Sequence, residues 1–357
     1  MTTSVSGRSI LRRFLGSTVL MLGYLWMPGW ANTGGVTDDV DDATPKVRVA
    51  VVSDMNGSYG TVGHRQRVSR AVARIIELKP DLVISTGDMV AGQRPAALSH
   101  QRIVAMWQAF HQTVTQPLAA AGIPFAPTPG NHDASAYPAF AAERRSYRVE
   151  WRDRVADLNF VDAADYPFNY AFNLMGILFV SLDVTTTGSL PQSSLDWLAG
   201  VLDTARPYHR YVVVFSHVPV WPFAQGRVTE ATRDRVLHRL LARAGVDLYL
   251  SGHHHAFYPG TLDGINFVSQ ACLGEGPRAL LGSQGAAALP GFTLLDFRNG
   301  EIAVAALQAP DFKGETDWQT LPQRIGSSGV DLQRADLAEG GVVPLHVAAP
   351  VHLEQNL

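Results

Sequence analysis

Five short polar segments constrain this chain more than any other feature, because each one directly follows a short apolar run typical of a buried β-strand. The segments are Ser53-Asp54-Met55-Asn56, Gly87-Asp88, Gly130-Asn131-His132-Asp133, Ser216-His217-Val218-Pro219 and Gly252-His253-His254-His255. Helical patterns separate the first of these runs, which indicates a βαβα organisation. Sheets of this kind carry ligand-binding loops at the strand ends, so we expect these Asp, Asn and His side chains to converge on one edge.

Each segment alone has an ordinary explanation. An Asp after a strand often caps a turn or a helix, and an Asn-His pair often lies in a loop. The three consecutive His are more informative, because alternation along an extended segment sends His253 and His255 to one face and His254 to the other. The complete ordered set is hard to obtain from capping and packing alone, and it favours a metal site.

The order Asp…Gly-Asp…Gly-Asn-His-Asp…His…Gly-His-x-His resembles the calcineurin-like metallophosphoesterase superfamily, which includes purple acid phosphatases, phosphoprotein phosphatases and cyclic-nucleotide phosphodiesterases. The resemblance covers about residues 47–307. It implies an α/β fold, namely a four-layer α-β-β-α sandwich of two mixed sheets flanked by helices. It also implies a metal-dependent hydrolase, a phosphoric ester hydrolase acting on a phosphate-ester substrate.

The resemblance further implies two metal ions and a set of seven ligands. These are Asp54, Asn56 and His255 at the first metal, Asn131, His217 and His253 at the second, and Asp88 as the bridge between them. A mixture of imidazole, carboxylate and amide oxygen suits divalent or trivalent Mn, Fe or Zn rather than calcium.

By the same resemblance, the two metal ions activate a bridging water to hydroxide, which attacks phosphorus in line with the leaving oxygen. No protein nucleophile is then required. His132 is expected to protonate the leaving oxygen as the general acid, with Asp133 orienting its ring and holding it charged.

One position departs from the family pattern. The first motif usually reads Asp-x-His, whereas this chain has Asp54-Met55-Asn56, which replaces an imidazole with a weaker amide oxygen. Three interpretations follow. Asn56 ligates through its oxygen, or nearby His64 substitutes for the missing imidazole, or the first metal site fills only when substrate is present.

The metal core of this superfamily does not select a substrate, because it is shared by enzymes acting on monoesters, diesters, lipids and phosphoproteins. A phosphodiesterase is therefore the alternative to a phosphomonoesterase. A metal-binding scaffold with weak activity is a second alternative. Retention of His132 and Asp133 argues against it, because a scaffold has no need for a proton donor.

The N-terminus predicts export. Arg8, Arg12 and Arg13 precede an apolar run over residues 14–27, and small residues follow, as in a signal peptide spanning 1–31. We expect a periplasmic or secreted protein with no stable membrane span after cleavage. An uncleaved anchor is the alternative, although the run is shorter than the roughly 20 residues of a typical span.

The rest of the chain completes the expected organisation. Residues 32–46 form an acidic linker, 47–307 form the metallophosphoesterase domain, and 308–357 form a tail expected to be a surface wrap or partly disordered. The segment 134–165 is expected to cover one side of the site as helices. The 29 Lys and Arg nearly balance the 32 Asp and Glu, so no nucleic-acid partner is indicated. Cys272 is the only cysteine, which excludes an intramolecular disulfide.

Overall fold

The computed structural model describes residues 47–347 except 97, 156, 286, 299 and 328. The predicted signal peptide (1–31) and acidic linker (32–46) lie outside the described residues, as does the end of the predicted tail (348–357). Within the described part of the chain, no helix combines the length and apolar character that crossing a membrane requires.

Sixteen strands and seven α-helices form the described fold. The strands are β1 (Val47–Val52), β2 (Leu82–Ser85), β3 (Phe125–Pro127), β4 (Asn159–Asp165), β5 (Asn169–Leu174), β6 (Ile177–Ser181), β7 (Tyr211–Ser216), β8 (Leu248–Ser251), β9 (Tyr258–Leu262), β10 (Ile265–Ser269), β11 (Gly291–Arg298), β12 (Glu301–Gln308), β13 (Gly314–Glu315), β14 (Arg324–Ser327), β15 (Val330–Arg334) and β16 (Val343–Pro344). The helices are α1 (Gln66–Leu78), α2 (His100–Phe110), α3 (Gln116–Ala120), α4 (Asn131–Ala134), α5 (Ala141–Arg152), α6 (Gln192–Ala205) and α7 (Arg235–Arg243).

The strands form two mixed sheets. The first has the order β13-β12-β11-β1-β2-β3, with β16 beside β12, and its strands β1, β2 and β3 are parallel. The second has the order β14-β15-β9-β10-β8-β7-β6-β5-β4, in which β10, β8, β7 and β6 are parallel. Parallel strands buried on both faces require apolar runs, and the strands β2, β7 and β8 are buried at every position.

Three hydrophobic clusters define the layers. One lies between the sheets and joins Val49 and Ile84 of the first sheet to Phe179 and Val213 of the second. Another packs α1, α2 and α5 on the outer face of the first sheet, and a third packs α6 and α7 on the outer face of the second. This arrangement confirms the predicted four-layer α-β-β-α sandwich of two mixed sheets.

Two expectations about irregular segments differ from the structure. The segment 134–165 contains the predicted helix, α5, but it ends in the edge strand β4. Residues 308–347, expected as a wrap without regular structure, contribute four short strands to the two sheets. Their β14–β15 hairpin pairs with β9, and it buries Ile325 and Leu332 against the second sheet. These strands are too short for a clear periodic pattern, so their assignment depends on the sheet edges they extend.

Candidate metal centre

The five polar segments meet at the carboxyl ends of parallel strands, as predicted. Asp54 follows β1, Asp88 follows β2, and Asn131 opens α4 just after β3 in the first sheet. His217 follows β7, and His253 and His255 follow β8 in the second sheet. Backbone hydrogen bonds join these loops, including Asp54 N–H to the Gly87 carbonyl (3.0 Å) and Gly252 N–H to the His217 carbonyl (3.0 Å).

Four of the predicted ligands have left-handed backbone conformations. The φ angles are 48° at Asp54, 55° at Asp88, 63° at His253 and 54° at His255. Residues other than glycine rarely adopt this conformation, and they do so mainly where the surrounding structure holds a functional side chain in place. The backbone therefore turns sharply after β1, β2 and β8, and these turns direct the side chains to one site.

Asp88 lies at the centre of the site. Its Oδ2 is 3.3 Å from His217 Nε2 and 3.9 Å from His132 Nε2, while its Oδ1 accepts the backbone N–H of His132 (2.8 Å). Burial acts to raise the pKa of Asp88, but His217 and His132 outweigh burial and hold that pKa below its usual range. An ionised carboxylate with one oxygen directed at imidazoles suits the predicted bridging role.

His217 and Asn131 form one side of the site. The Nδ1–H of His217 donates to the Thr86 carbonyl (2.8 Å), so Nε2 faces the Asn131 Oδ1 at 2.8 Å. Burial acts to lower the pKa of His217, but the Asp88 charge outweighs burial and raises that pKa to about 9. The Asn131 amide donates to the Gln93 Oε1, which fixes its oxygen toward His217. Both side chains are thus oriented by partners outside the ligand set.

The three consecutive His separate as predicted. His254 faces away from the site, where it accepts the Phe223 N–H (3.0 Å) and donates to the Glu230 carbonyl (3.1 Å). His255 places Nε2 3.0 Å from Asp54 Oδ1 and donates from Nδ1 to the Gly276 carbonyl (2.9 Å). His253 places Nε2 3.3 Å from the Glu230 carboxylate. Burial lowers the pKa of His253 to about 4, so this ring is neutral at physiological pH.

Glycines in two of the motifs permit close approach of the loops. A Cβ on Gly130 would lie 2.1 Å from both the backbone nitrogen and Oδ1 of Asp88. A Cβ on Gly252 would lie 2.3 Å from Ser53 Oγ and 2.8 Å from Asp54 Oδ2. Any larger residue at these positions would displace a predicted ligand.

His132 lies at the site, but the predicted role of Asp133 is wrong. The His132 ring donates from Nδ1 to the Gly92 carbonyl (2.8 Å), so this carbonyl orients the ring. The Asp133 carboxylate instead accepts the backbone N–H groups of Met89 (2.8 Å), Val90 (2.9 Å) and Gly130 (2.9 Å). Burial and the Asp88 charge raise the pKa of Asp133 to about 7, against the opposing effect of the backbone donors. Asp133 therefore holds the Asp88 and His132 loops together.

The two residues considered for the weakened first motif are placed differently. Asn56 lines the same cavity as Asp88, Asn131, His253 and His255. His64 donates a hydrogen bond from Nε2 to the Met89 carbonyl (2.9 Å), which orients its ring, and it packs against Phe110. Among the described residues, His64 is not part of the cavity lining. This placement favours Asn56 over His64 as the third ligand of the first metal.

Four functional candidates were missed by sequence reasoning. Glu230 contacts His253 and pairs with Arg227, and both line the cavity. The His253 hydrogen bond, opposed by burial and helped by Arg227, lowers the pKa of Glu230 to about 2. Tyr59 packs on the His132 ring, and Gln93 holds Asn131. These residues come from irregular loops without a motif, so no signal in the sequence marks them.

The side chains fit a metal pair. Within the described residues, one ligand atom each from Asp88, His217 and His253 lies within 4.8 Å of the other two. Asp54 Oδ1 is buried without a well-formed hydrogen bond, although His255 Nε2 is 3.0 Å away. A buried carboxylate oxygen without a donor is costly unless a cation compensates it. The centre can therefore hold one cation between Asp88, His217 and His253, and the Asp54 oxygen is available to a second.

Comparisons with known proteins agree with this geometry. A family model described as calcineurin-like phosphoesterase matches residues 47–257, which is more than half of the chain. The chain is 26% identical over 251 residues to tartrate-resistant acid phosphatase type 5 of Homo sapiens, an alignment covering 64% of this chain and 73% of the human protein.

Two further likenesses span less of the other protein. Over 215 residues the chain is 27% identical to a cAMP/cGMP dual specificity phosphodiesterase of Mycobacterium tuberculosis, covering 58% of this chain and 59% of that one. The fold matches a purple acid phosphatase from yellow lupin (Lupinus luteus) seeds with a TM-score of 0.55 and 16% identity. That match covers 74% of this chain and 52% of the lupin protein, and at this identity it is a likeness of fold.

Proposed function

This chain belongs to the calcineurin-like phosphoesterase family and is a phosphoric ester hydrolase, and we propose that it hydrolyses phosphomonoesters at the centre around Asp88. One observation carries the proposal. The Asp88 carboxylate lies 3.3 Å from His217 Nε2 and 3.9 Å from Nε2 of the general-acid candidate His132, and it lines the same cavity as Asn56, His253 and His255. This juxtaposition supports metal-dependent hydrolysis with a proton donor beside the reacting group.

When bound, two metal ions lower the pKa of a water molecule and neutralise the charge of the phosphoryl oxygens. The residues that would hold them are those predicted: Asp54, Asn56, Asp88, Asn131, His217, His253 and His255. Mn, Fe or Zn suits this donor set. The protein supplies fixed orientations, because His217, His253 and His255 each make a contact through one ring nitrogen to a group outside the ligand set.

His132 acts as the general acid in this proposal. Its Nδ1–H is held by the Gly92 carbonyl, so the proton on Nε2 faces the site. As the phosphorus–oxygen bond breaks, that proton passes to the leaving oxygen. We expect His132→Ala to slow esters with poor leaving groups by roughly 10²–10⁴-fold, and esters with good leaving groups much less. Equal losses across a series of aryl phosphates would exclude the acid role.

A chromogenic phosphomonoester and the matching diester test the proposal directly. The purified protein is stripped of metal and then titrated with Mn²⁺, with Asp88→Ala as the inactive control. Faster metal-dependent turnover of the monoester supports the proposal, whereas faster turnover of the diester would favour the phosphodiesterase alternative. Bound metal without turnover of either ester would favour the scaffold alternative.

Export to the periplasm or the medium is part of the proposal, and it rests on the sequence of residues 1–31. Intact mass of the protein recovered from the cell envelope and the medium tests it. A mass corresponding to cleavage near Ala31 supports export with signal removal, whereas the full-length mass in the membrane fraction would favour the uncleaved anchor.

A further inference from the structure

A cavity of about 330 Å³ lies over the metal centre. This volume is typical of a binding site for a small ligand. Its floor carries the candidate ligands Asn56, Asp88, Asn131, His253 and His255 together with His132. Its walls are formed by side chains that the proposed chemistry does not use, so their composition indicates what the substrate carries besides its phosphate.

The side chains that line the cavity walls include an aromatic pair and a polar group. Tyr59 and Tyr137 both line the cavity, and we call these two residues the aromatic wall. The polar lining consists of threonines and an ion pair, namely Thr185, Thr186, Thr187, Thr229, Arg227 and Glu230. Tyr59 is 61% exposed and Tyr137 is 46% exposed. Two tyrosines that expose this much apolar ring beside a polar centre provide a surface for packing by a ligand.

The position of Tyr59 relative to His132 shows which part of the substrate would meet it. The Tyr59 and His132 ring centroids are 4.9 Å apart, with an interplanar angle of 49°. The Gly92 carbonyl holds Nδ1 of His132, so the leaving oxygen must lie beside Nε2 to receive its proton. The group attached to that oxygen then extends along the His132 side of the cavity, where Tyr59 packs.

We propose that the aromatic wall selects phosphate esters whose leaving group carries a planar aromatic or heteroaromatic ring. This inference rests on the proposed function, because it assigns the leaving-group side from the general acid His132. A ring packed against Tyr59 and Tyr137 gains the face or edge contacts that aromatic pairs favour, whereas a small alkyl group leaves both tyrosines exposed.

The test compares phenyl phosphate with a fluorinated alkyl phosphate of matched leaving-group acidity, so that chemistry does not favour either ester. Full-length, Mn²⁺-loaded protein is compared with Tyr59→Leu and Tyr137→Leu. We expect Tyr59→Leu to lower kcat/KM for phenyl phosphate roughly threefold to tenfold more than for the alkyl ester, mainly through KM, because any effect through His132 is common to both esters. Tyr208→Leu is the matched control, because Tyr208 is 83% exposed and does not line the described cavity.

Binding without turnover separates this inference from the proposed function. Calorimetry measures phenylphosphonate against methylphosphonate, neither of which is hydrolysed. Tighter binding of phenylphosphonate that Tyr59→Leu removes supports the aromatic wall, even if no ester is turned over. Hydrolysis of both esters, with equal affinity for the two phosphonates or equal losses in Tyr59→Leu, would overturn the aromatic wall and leave the hydrolase in place.

Discussion

The two halves of the metal centre are built from different donors. In the proposed assignment, the second-metal half (Asn131, His217 and His253) has two imidazoles and an amide, whereas the first-metal half (Asp54, Asn56 and His255) has one imidazole, one carboxylate and an amide. The outer contacts also differ, because His255 is held by the Gly276 carbonyl and His253 by the Glu230 carboxylate. Imidazole suits Fe and Zn better than an amide oxygen does, so we expect the second-metal half to bind these ions more tightly.

Replacing Asp88, the proposed shared ligand, should abolish metal binding in both halves of the centre. Asp88→Asn keeps the shape of the side chain but removes the charge that lies between His217 and His132. We expect loss of both metal ions after dialysis and roughly 10³-fold lower kcat, measured by elemental analysis and ester hydrolysis. Asp331→Asn is the matched control, because Asp331 is exposed and pairs with Arg324 at the surface. Retention of one full equivalent of metal in Asp88→Asn would show that Asp88 does not bridge.

A side chain added at Gly130 should displace Asp88 and weaken metal binding, although no proposed ligand is replaced. In Gly130→Ala the new Cβ would meet Asp88 at 2.1 Å, so the two loops must move apart. We expect about 1–3 kcal/mol lower stability together with weaker metal binding, measured by denaturant unfolding and by Mn²⁺ titration. Gly63→Ala is the control, since a Cβ at that position would meet no heavy atom of the described residues within 4 Å. Unchanged metal affinity in Gly130→Ala would contradict the close packing of these loops.

Removing the negative charge of Glu230, which contacts His253, should weaken metal binding only in the second-metal half. Glu230→Gln keeps the length of the side chain but replaces the carboxylate that lies 3.3 Å from His253 Nε2. We expect affinity for the tighter metal to fall about 10–100-fold, as for other partners of ligating histidines. Stepwise Zn²⁺ titration by calorimetry measures both sites. An effect confined to the weaker site would reverse the assignment of the halves.

The sequence predicts that the candidate ligands meet at one edge because they follow strand ends. Asp54, Asp88 and His217 each come directly after an apolar run, and parallel strands bring such positions to one edge whatever the loops do. Glu230 and Tyr59 could not be predicted in this way. Each reaches the site from an irregular loop, and its distance from His253 or His132 depends on tertiary packing.

Adjacency in sequence misled the assignment of Asp133. It directly follows His132, but the helical turn of α4 directs its carboxylate back to the N–H groups of Gly130, Met89 and Val90. The carboxylate accepts these three backbone donors and, among the described residues, makes no contact that orients the His132 ring. The partner that does so, the Gly92 carbonyl, is a backbone atom that no motif records.

Restoring the missing imidazole should give the smallest effect, and it tests the difference between the two halves most directly. Asn56 lines the cavity and is 8% exposed, so a histidine placed there has access to the first metal. We expect Asn56→His to raise Zn²⁺ affinity of the weaker site about tenfold and to leave the tighter site unchanged. Asn159→His, on the exposed start of β4, controls for an added surface imidazole. If Asn56→His changed neither site while His64→Ala weakened one, the first-metal half would instead be completed by His64, and the halves would then hold equal numbers of imidazoles.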